Sequence, residues 1–213
     1  MNNQKKIVII LLIVYLSHIT CFANYSNHQI KNDVEFIESL NLFSGFSESY
    51  LTRSTMIHTF AKIVDDNYEK YDYTDNRFAD IEENNSDFKT ANFALDYGIF
   101  TGKYSKNGKI IADLNSYATW REVLIVSLRC LNIDFNAHSQ EEILFWSQYL
   151  GLDKFSVNKE NEFFKIENIL DERVGYNEYC CFINRVLHTP YSSWTYGGEV
   201  TKYYIDEFVF HQH

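Results

Sequence analysis

The sequence predicts a mainly α-helical protein made of three helix-loop-helix units, with a short β-hairpin-like tail at its C-terminal end. Two recurring signals lead there. Leu40-Asn41, Tyr97-Gly98 and Leu150-Gly151 each place Asn or Gly after an apolar run, and these residues best tolerate the left-handed conformation that ends a helix. Downstream of each stop comes a helix start: Leu51-Thr52-Arg53-Ser54-Thr55, Ala118-Thr119-Trp120-Arg121-Glu122 and Val174-Gly175-Tyr176-Asn177-Glu178. These lead into the apolar runs Met56–Val64, Val123–Leu131 and Tyr179–Leu187. The starts lie 67 and 56 residues apart, a loose period with the same order of signals, as expected of units that bury their faces against one another.

Taken in order, the chain opens with Lys5-Lys6, an apolar run Ile7–Leu16, and the small-residue stretch Cys21-Phe22-Ala23. This is the layout of a signal peptide over residues 1–23, and its apolar core is shorter than the about 20 residues a membrane span needs. An uncleaved anchor is the alternative. Cleavage after Ala23 removes two lysines and takes the net charge from −10 to −12. An acidic chain of this kind is poorly suited to nucleic acid, which is bound by neutralising phosphates, and equally to an anionic membrane surface. One proline and eight glycines leave little room for a long flexible linker.

Residues 24–32 read as a disordered leader, and Asp33–Leu40 as a first helix with Phe36, Ile37 and Leu40 on one stripe. Nine acidic residues lie between Asp65 and Asp87, without the Asp/Asn ladder, central Gly and closing Glu of a calcium loop; a solvated connector is expected. Ser86–Tyr97 carries Phe88, Ala91 and Leu95 at helical spacing. The loop Gly102–Tyr117 holds Lys103, Lys106 and Lys109, read either as solvated lysines or as a contact for an anionic ligand. Thr119 and Glu122 have the spacing of a capping box, and the almost wholly apolar helix behind them belongs at the centre of a bundle. Glu141–Leu150 puts Ile143, Trp146, Ser147 and Leu150 on one face. The polar loop Asp153–Arg173 is pinned by Phe163-Phe164 and Ile169-Leu170. After Pro190, the Gly197-Gly198 pair predicts a two-residue hairpin turn, whose aromatics either stack on sugars or cover an edge of the core.

The second unit, with Phe78-Ala79-Asp80 as lead-in, Gly98-Ile99-x-x-Gly102 at the turn and Thr119-x-x-Glu122 at the helix start, resembles the surface-layer homology (SLH) domain. The first unit supplies Thr52-Arg53 but has Thr55 where the glutamate belongs, and the third keeps only Glu178. The resemblance covers residues 24–189, with repeats at about 33–64, 78–131 and 141–188, and leaves 190–213 as an aromatic tail. It implies three repeats packed as a pseudo-threefold helical bundle. It also implies a non-catalytic module, held at the bacterial surface by wall polysaccharide, which in the family commonly bears a ketal-linked pyruvate. The motif arginine would meet the ligand, which carries the role to Thr52 and Arg53, and in the second unit to Trp120 and Arg121. The other reading of Arg53 is a solvent-facing arginine near a helix N-terminus.

No nucleophile elbow, HExxH, P-loop or Gly-rich dinucleotide motif is present, so no enzyme activity, metal or cofactor is expected. His58 and His188 read as surface or core-satisfied residues. Cys130, Cys180 and Cys181 lie inside apolar runs and read as buried thiols, with a bridge from Cys130 to one of the pair as the alternative. Three functional readings stand: a wall-polysaccharide module, an SLH-like scaffold repurposed to bind an envelope protein, and a secreted enzyme of unrecognised type. A retained basic groove at Arg53 would separate the first from the second.

Overall fold

Capping residues set two of the helix starts where the sequence predicts them. The computed structural model describes residues 27–43, 50–153, 166–195 and 198–206. Among these the first half runs α1 (Asn27–Ser39), α2 (Arg53–Val64), α3 (Phe88–Asp96), β1 (Lys103–Tyr104) and β2 (Ile110–Ile111). The second half runs α4 (Trp120–Cys130), α5 (Gln140–Tyr149), α6 (Tyr176–Leu187), β3 (Tyr191–Thr195) and β4 (Gly198–Lys202). The protein is thus mainly helical with two small antiparallel hairpins. The expected signal segment 1–23, Gly45, Phe163-Phe164 and Gly197 lie outside the described residues.

Thr52 caps α2 through a bond from Thr55 N–H, and Thr119 with Glu122 forms a complete capping box on α4. The stops at Asn41, Gly98 and Gly151 have φ of 52°, 70° and 71°. Asn132 ends α4 in the same way at 57°, a fourth stop the sequence reading passed over. Cys130, Cys180 and Cys181 are buried and free.

Several expectations are corrected. The leader is shorter than predicted: α1 already starts at Asn27, because Ile30 reaches the core one helical turn before Val34 and Ile37. The acid-rich connector is not simply solvated. Tyr68, Phe78 and Ile81 are buried, and the Asp80 carboxylate accepts the backbone N–H groups of Ala112 (2.8 Å) and Asp113 (2.7 Å). The lysine loop contains the β1–β2 hairpin, with Lys103 paired to Asp113. In the tail, Thr195 pairs with Gly198, so Gly198 belongs to β4 and not to the turn that the Gly-Gly pair predicts. Two of its aromatics cover the core: Tyr191 stacks on Tyr204 at 4.2 Å, and the Tyr204 hydroxyl donates to Cys130 O, while Tyr203 is exposed.

The three segments ahead of α2, α4 and α6 meet in the interior. Leu51 N–H donates to Val174 O (2.8 Å), Val174 N–H to Ala118 O (3.3 Å), and Ala118 N–H back to Leu51 O (2.8 Å). All three residues are fully buried. Around this closed circle, isolated bridges pair Thr52 with Tyr117, Thr119 with Arg173, and Tyr50 with Gly175. The helices follow suit: α3 packs on α2, α5 on α4, and α1 on α6. One hydrophobic core draws on all six helices and on Tyr191 and Tyr204 of the tail.

The turn after α3 has two glycines with different demands. A Cβ at Gly98 would meet nothing within 4 Å, whereas at Gly102 it would lie 2.6 Å from Ile111 O and 2.8 Å from the Phe78 ring. Gly98→Ala is therefore expected to cost about 1 kcal/mol, the ordinary left-handed penalty. Gly102→Ala is expected to cost at least about 3 kcal/mol, since the backbone of β2 must also move. Urea denaturation of the two variants checks the order; equal losses would contradict it.

Candidate functional site

The helix N-termini that the resemblance assigns to ligand are closed. Arg53 N–H donates to Ser116 O (2.9 Å) and Ser54 N–H to Leu114 O (3.0 Å). In the same relation, Trp120 N–H donates to Glu172 O (3.2 Å) and Arg121 N–H to Leu170 O (2.8 Å). The third donor of each helix goes to its capping threonine, Thr55 N–H to Thr52 and Glu122 N–H to Thr119. The first-turn groups that usually make a helix start attractive to anions are thereby consumed by the protein itself.

The four assigned side chains share this commitment. Thr52 is a cap. Arg53 is only 6% exposed, which corrects the solvent-facing reading. Its Nε donates to Ala112 O at 3.1 Å, Nη1 pairs with Glu122 Oε1, and the guanidinium sits 5.1 Å over the Phe100 ring. Trp120 is buried with its edge against Phe182, at 5.6 Å and 67°. Arg121 grips Asp171 with two bonds, 2.9 and 3.3 Å, and reaches Gln140 at 3.1 Å. The structure brings Arg53 and the α4 start together through Glu122, but not as an open basic groove. Helical spacing carried this signal: Arg53 heads the stripe Met56, Ile57, Phe60, and Trp120 heads Val123, Leu124, Ser127, all buried.

The most developed surface site runs along the other side of α2, at Ser54, Thr55, His58 and Lys62. These four, with Leu42, Phe43, Asp66, Tyr68, Glu69 and Ser86, line an open groove of about 500 Å³. His58 is held from both sides: Nε2 lies 2.8 Å from Asp87 Oδ1, and Nδ1 lies 2.8 Å from the Tyr68 hydroxyl and 3.1 Å from Thr90 Oγ1. Since a carboxylate only accepts, Nε2 carries the proton. Ser54 Oγ also donates to Asp87 Oδ1, at 3.0 Å. The Ser54 hydroxyl is thus turned to a carboxylate and not to an imidazole base, which is a geometry for fixing side chains and not for activating a nucleophile. Burial keeps the Tyr68 phenol above its ordinary value. The three thiols are likewise pushed up by burial, Cys180 to about 12, so none is a thiolate at neutral pH. Among the described residues no group of His, Cys, Asp or Glu is placed to hold a metal ion. The His58 network was invisible in sequence because its partner Asp87 lies in a connector 29 residues away.

No protein-family model matches this chain, and no curated protein matches it.

Two outcomes follow. Removing one member of a buried ion pair leaves the other charge uncompensated, so Arg53→Ala is expected to cost about 3 kcal/mol in urea denaturation. Arg53→Met with Glu122→Gln should recover most of that loss, and Arg121→Ala, at the surface, should move the midpoint far less. The second concerns acid. The His58 hydrogen bond holds the Asp87 carboxyl below its ordinary 3.8, against the opposing effect of burial. An acid depressed in the folded state contributes stability above its unfolded pKa and loses it as pH falls through the folded value. His58→Ala should therefore raise the Asp87 pKa in a carboxyl NMR titration. The stability gap between wild type and variant should narrow as pH falls below about 4.

Proposed function

We propose that the chain is a non-catalytic, SLH-like module of three repeats that binds wall polysaccharide noncovalently at the bacterial envelope. The observation that carries this reading is the closed circle of Leu51, Ala118 and Val174. Each residue stands immediately before a helix-capping position, and each hands its N–H to another member of the circle. The bridges from cap to lead-in, and the packing of each lead helix on a helix of another unit, follow one cyclic order. This supports the pseudo-threefold packing that the SLH resemblance implies. The chain then acts after export, with the groove along α2 as its contact surface. Hydroxyls, an amine and an imidazole beside Phe43 suit a sugar, which offers hydroxyls at its rim and C–H groups on its faces.

A second reading, a scaffold for an envelope protein, is favoured by a different surface. Phe145 and Tyr149 on α5 are 56% and 73% exposed and stack on each other at 6.2 Å, with Trp146 beside both, its ring centroid 5.2 and 5.7 Å away. Clustered exposed aromatics are the composition of a protein interface centre.

Co-sedimentation of residues 24–213 with protein-free cell-wall sacculi separates the readings. Wall binding is expected to pellet the protein, to be lost when the secondary polysaccharide is stripped, and to weaken at least about tenfold in Lys62→Glu, which puts a third carboxylate beside Asp66 and Glu69 in place of the groove's amine. A protein that stays in the supernatant throughout removes the wall-binding function and leaves the scaffold.

A further inference from the structure

We infer that Tyr71 and Tyr97, with Asp65 bonded to the Tyr71 hydroxyl, form a docking corner for an arginine or lysine side chain of a basic partner protein. Tyr97 ends α3, and Tyr71 lies in the acid-rich connector. Phe93, one helical turn before Tyr97 and fully buried, is the floor that sets both rings. It stacks on Tyr97 at 4.2 Å and 25°, and lies 5.7 Å from the Tyr71 ring. The two tyrosine rings stand 6.4 Å apart at 64°, yet Tyr71 is 41% and Tyr97 50% exposed. Their hydroxyls are 3.4 Å apart, and that of Tyr71 donates to Asp65 Oδ2 at 2.9 Å.

The protein itself shows what such a corner takes. Tyr50 and Tyr117 stand 5.8 Å apart at 66°, and the Arg173 guanidinium carbon lies 5.8 and 4.4 Å from their ring centres. Tyr71 and Tyr97 repeat that angle, but among the described residues no cation lies over either ring. The cations of the surrounding segments are engaged elsewhere: Lys62 with Asp66, Lys70 with the Asn67 side chain, Arg77 with Asp96 and Lys89 with Asp72. Asp65 pairs with none of them, and its other oxygen accepts Asn67 N–H at 2.8 Å. A carboxylate has lone pairs to spare after two such bonds, so Asp65 can also receive N–H groups from a cation held over the rings. The ring faces attract that cation through their quadrupoles, and in a chain of net charge −10 the partner that fits is basic. The exposed pair Phe145 and Tyr149 differs, since its rings lie nearly parallel at 15° and enclose no corner. The site needs neither the groove along α2 nor the wall-binding reading.

The test is a titration of the protein with a capped tetra-arginine peptide and with tetracitrulline, its neutral isostere, read by NMR shifts and calorimetry. Wild type is expected to bind the arginine peptide at least about tenfold more tightly, with the largest shifts at Tyr71 and Tyr97. Tyr97→Leu covers Phe93 without a π face, and should weaken the arginine peptide about twofold to fivefold. Tyr97→Trp, with the stronger quadrupole, should bind at least as well as wild type. Asp65→Asn should also weaken binding. A merely acidic surface would attract the peptide too, but the Tyr97 exchanges leave its charge untouched, so they single out the corner. Equal urea midpoints tie each loss to the site. Equal binding of the two peptides, shifts scattered over the acidic surface, or an unmoved affinity in Tyr97→Leu overturns the proposal.

Discussion

The fold depends on three backbone hydrogen bonds closed into a circle. Leu51, Ala118 and Val174 are each fully buried, so each N–H and C=O there must find a protein partner. Each finds it in another member of the circle, and the arrangement has no free end. The consequence reaches into the helices. Once the circle is set, the next residues are in register to receive carbonyls from the neighbouring lead-in, as Arg53 and Ser54 do from Ser116 and Leu114. A helix start normally leaves its first donors to solvent or ligand. Here tertiary structure takes them, which both fixes the helix directions and removes the most familiar anion site in a helical protein.

The side chain that follows each helix cap differs from one helix start to the next. Arg53 turns inward to Glu122 and Phe100, Trp120 packs on Phe182, and the Tyr176 hydroxyl reaches Glu38 at 2.6 Å. One junction is ionic, one is apolar and one is a phenol–carboxylate bond. Glu122 serves twice, since Oε2 accepts Thr119 N–H while Oε1 takes Arg53. A carboxylate in a capping box therefore also neutralises the buried cation, and the capped start of α4 is coupled to the start of α2.

Local signals were legible in sequence and distant ones were not. Thr119 with Glu122, and the stops at Asn41, Gly98 and Gly151, depend on residues within a few positions of each other, and they stand where the spacing put them. The β1–β2 hairpin was missed because two-residue strands carry no alternation to read. Asp80 and Asp87 looked like solvent-facing charge. Each is in fact a structural acceptor, for backbone 32 and 33 residues on or for a histidine 29 residues back. No spacing rule reports such pairs. Arg53 and Trp120 are the instructive cases, since both were weighed as ligand contacts by motif while their helical phase placed them with Met56 and Val123 in the core. Where a motif and an amphipathic stripe disagree over an arginine, the stripe reports the side chain's direction and the motif does not.

The difference between the helix starts bears on function. A module with three equivalent junctions would offer three equivalent sites, but the closed N-termini of α2 and α4, with Arg53 and Trp120 turned inward, offer none in common. What remains open among the described residues includes the groove of α2, with His58 locked between Asp87 and Tyr68, and the exposed aromatics Phe145 and Tyr149 of α5. The first is polar and carries charges of both signs, Lys62 with Asp66 and Glu69, and the second is aromatic. On the wall-binding proposal, avidity across equivalent grooves would not be available, so each contact would have to contribute most of the affinity at its own site.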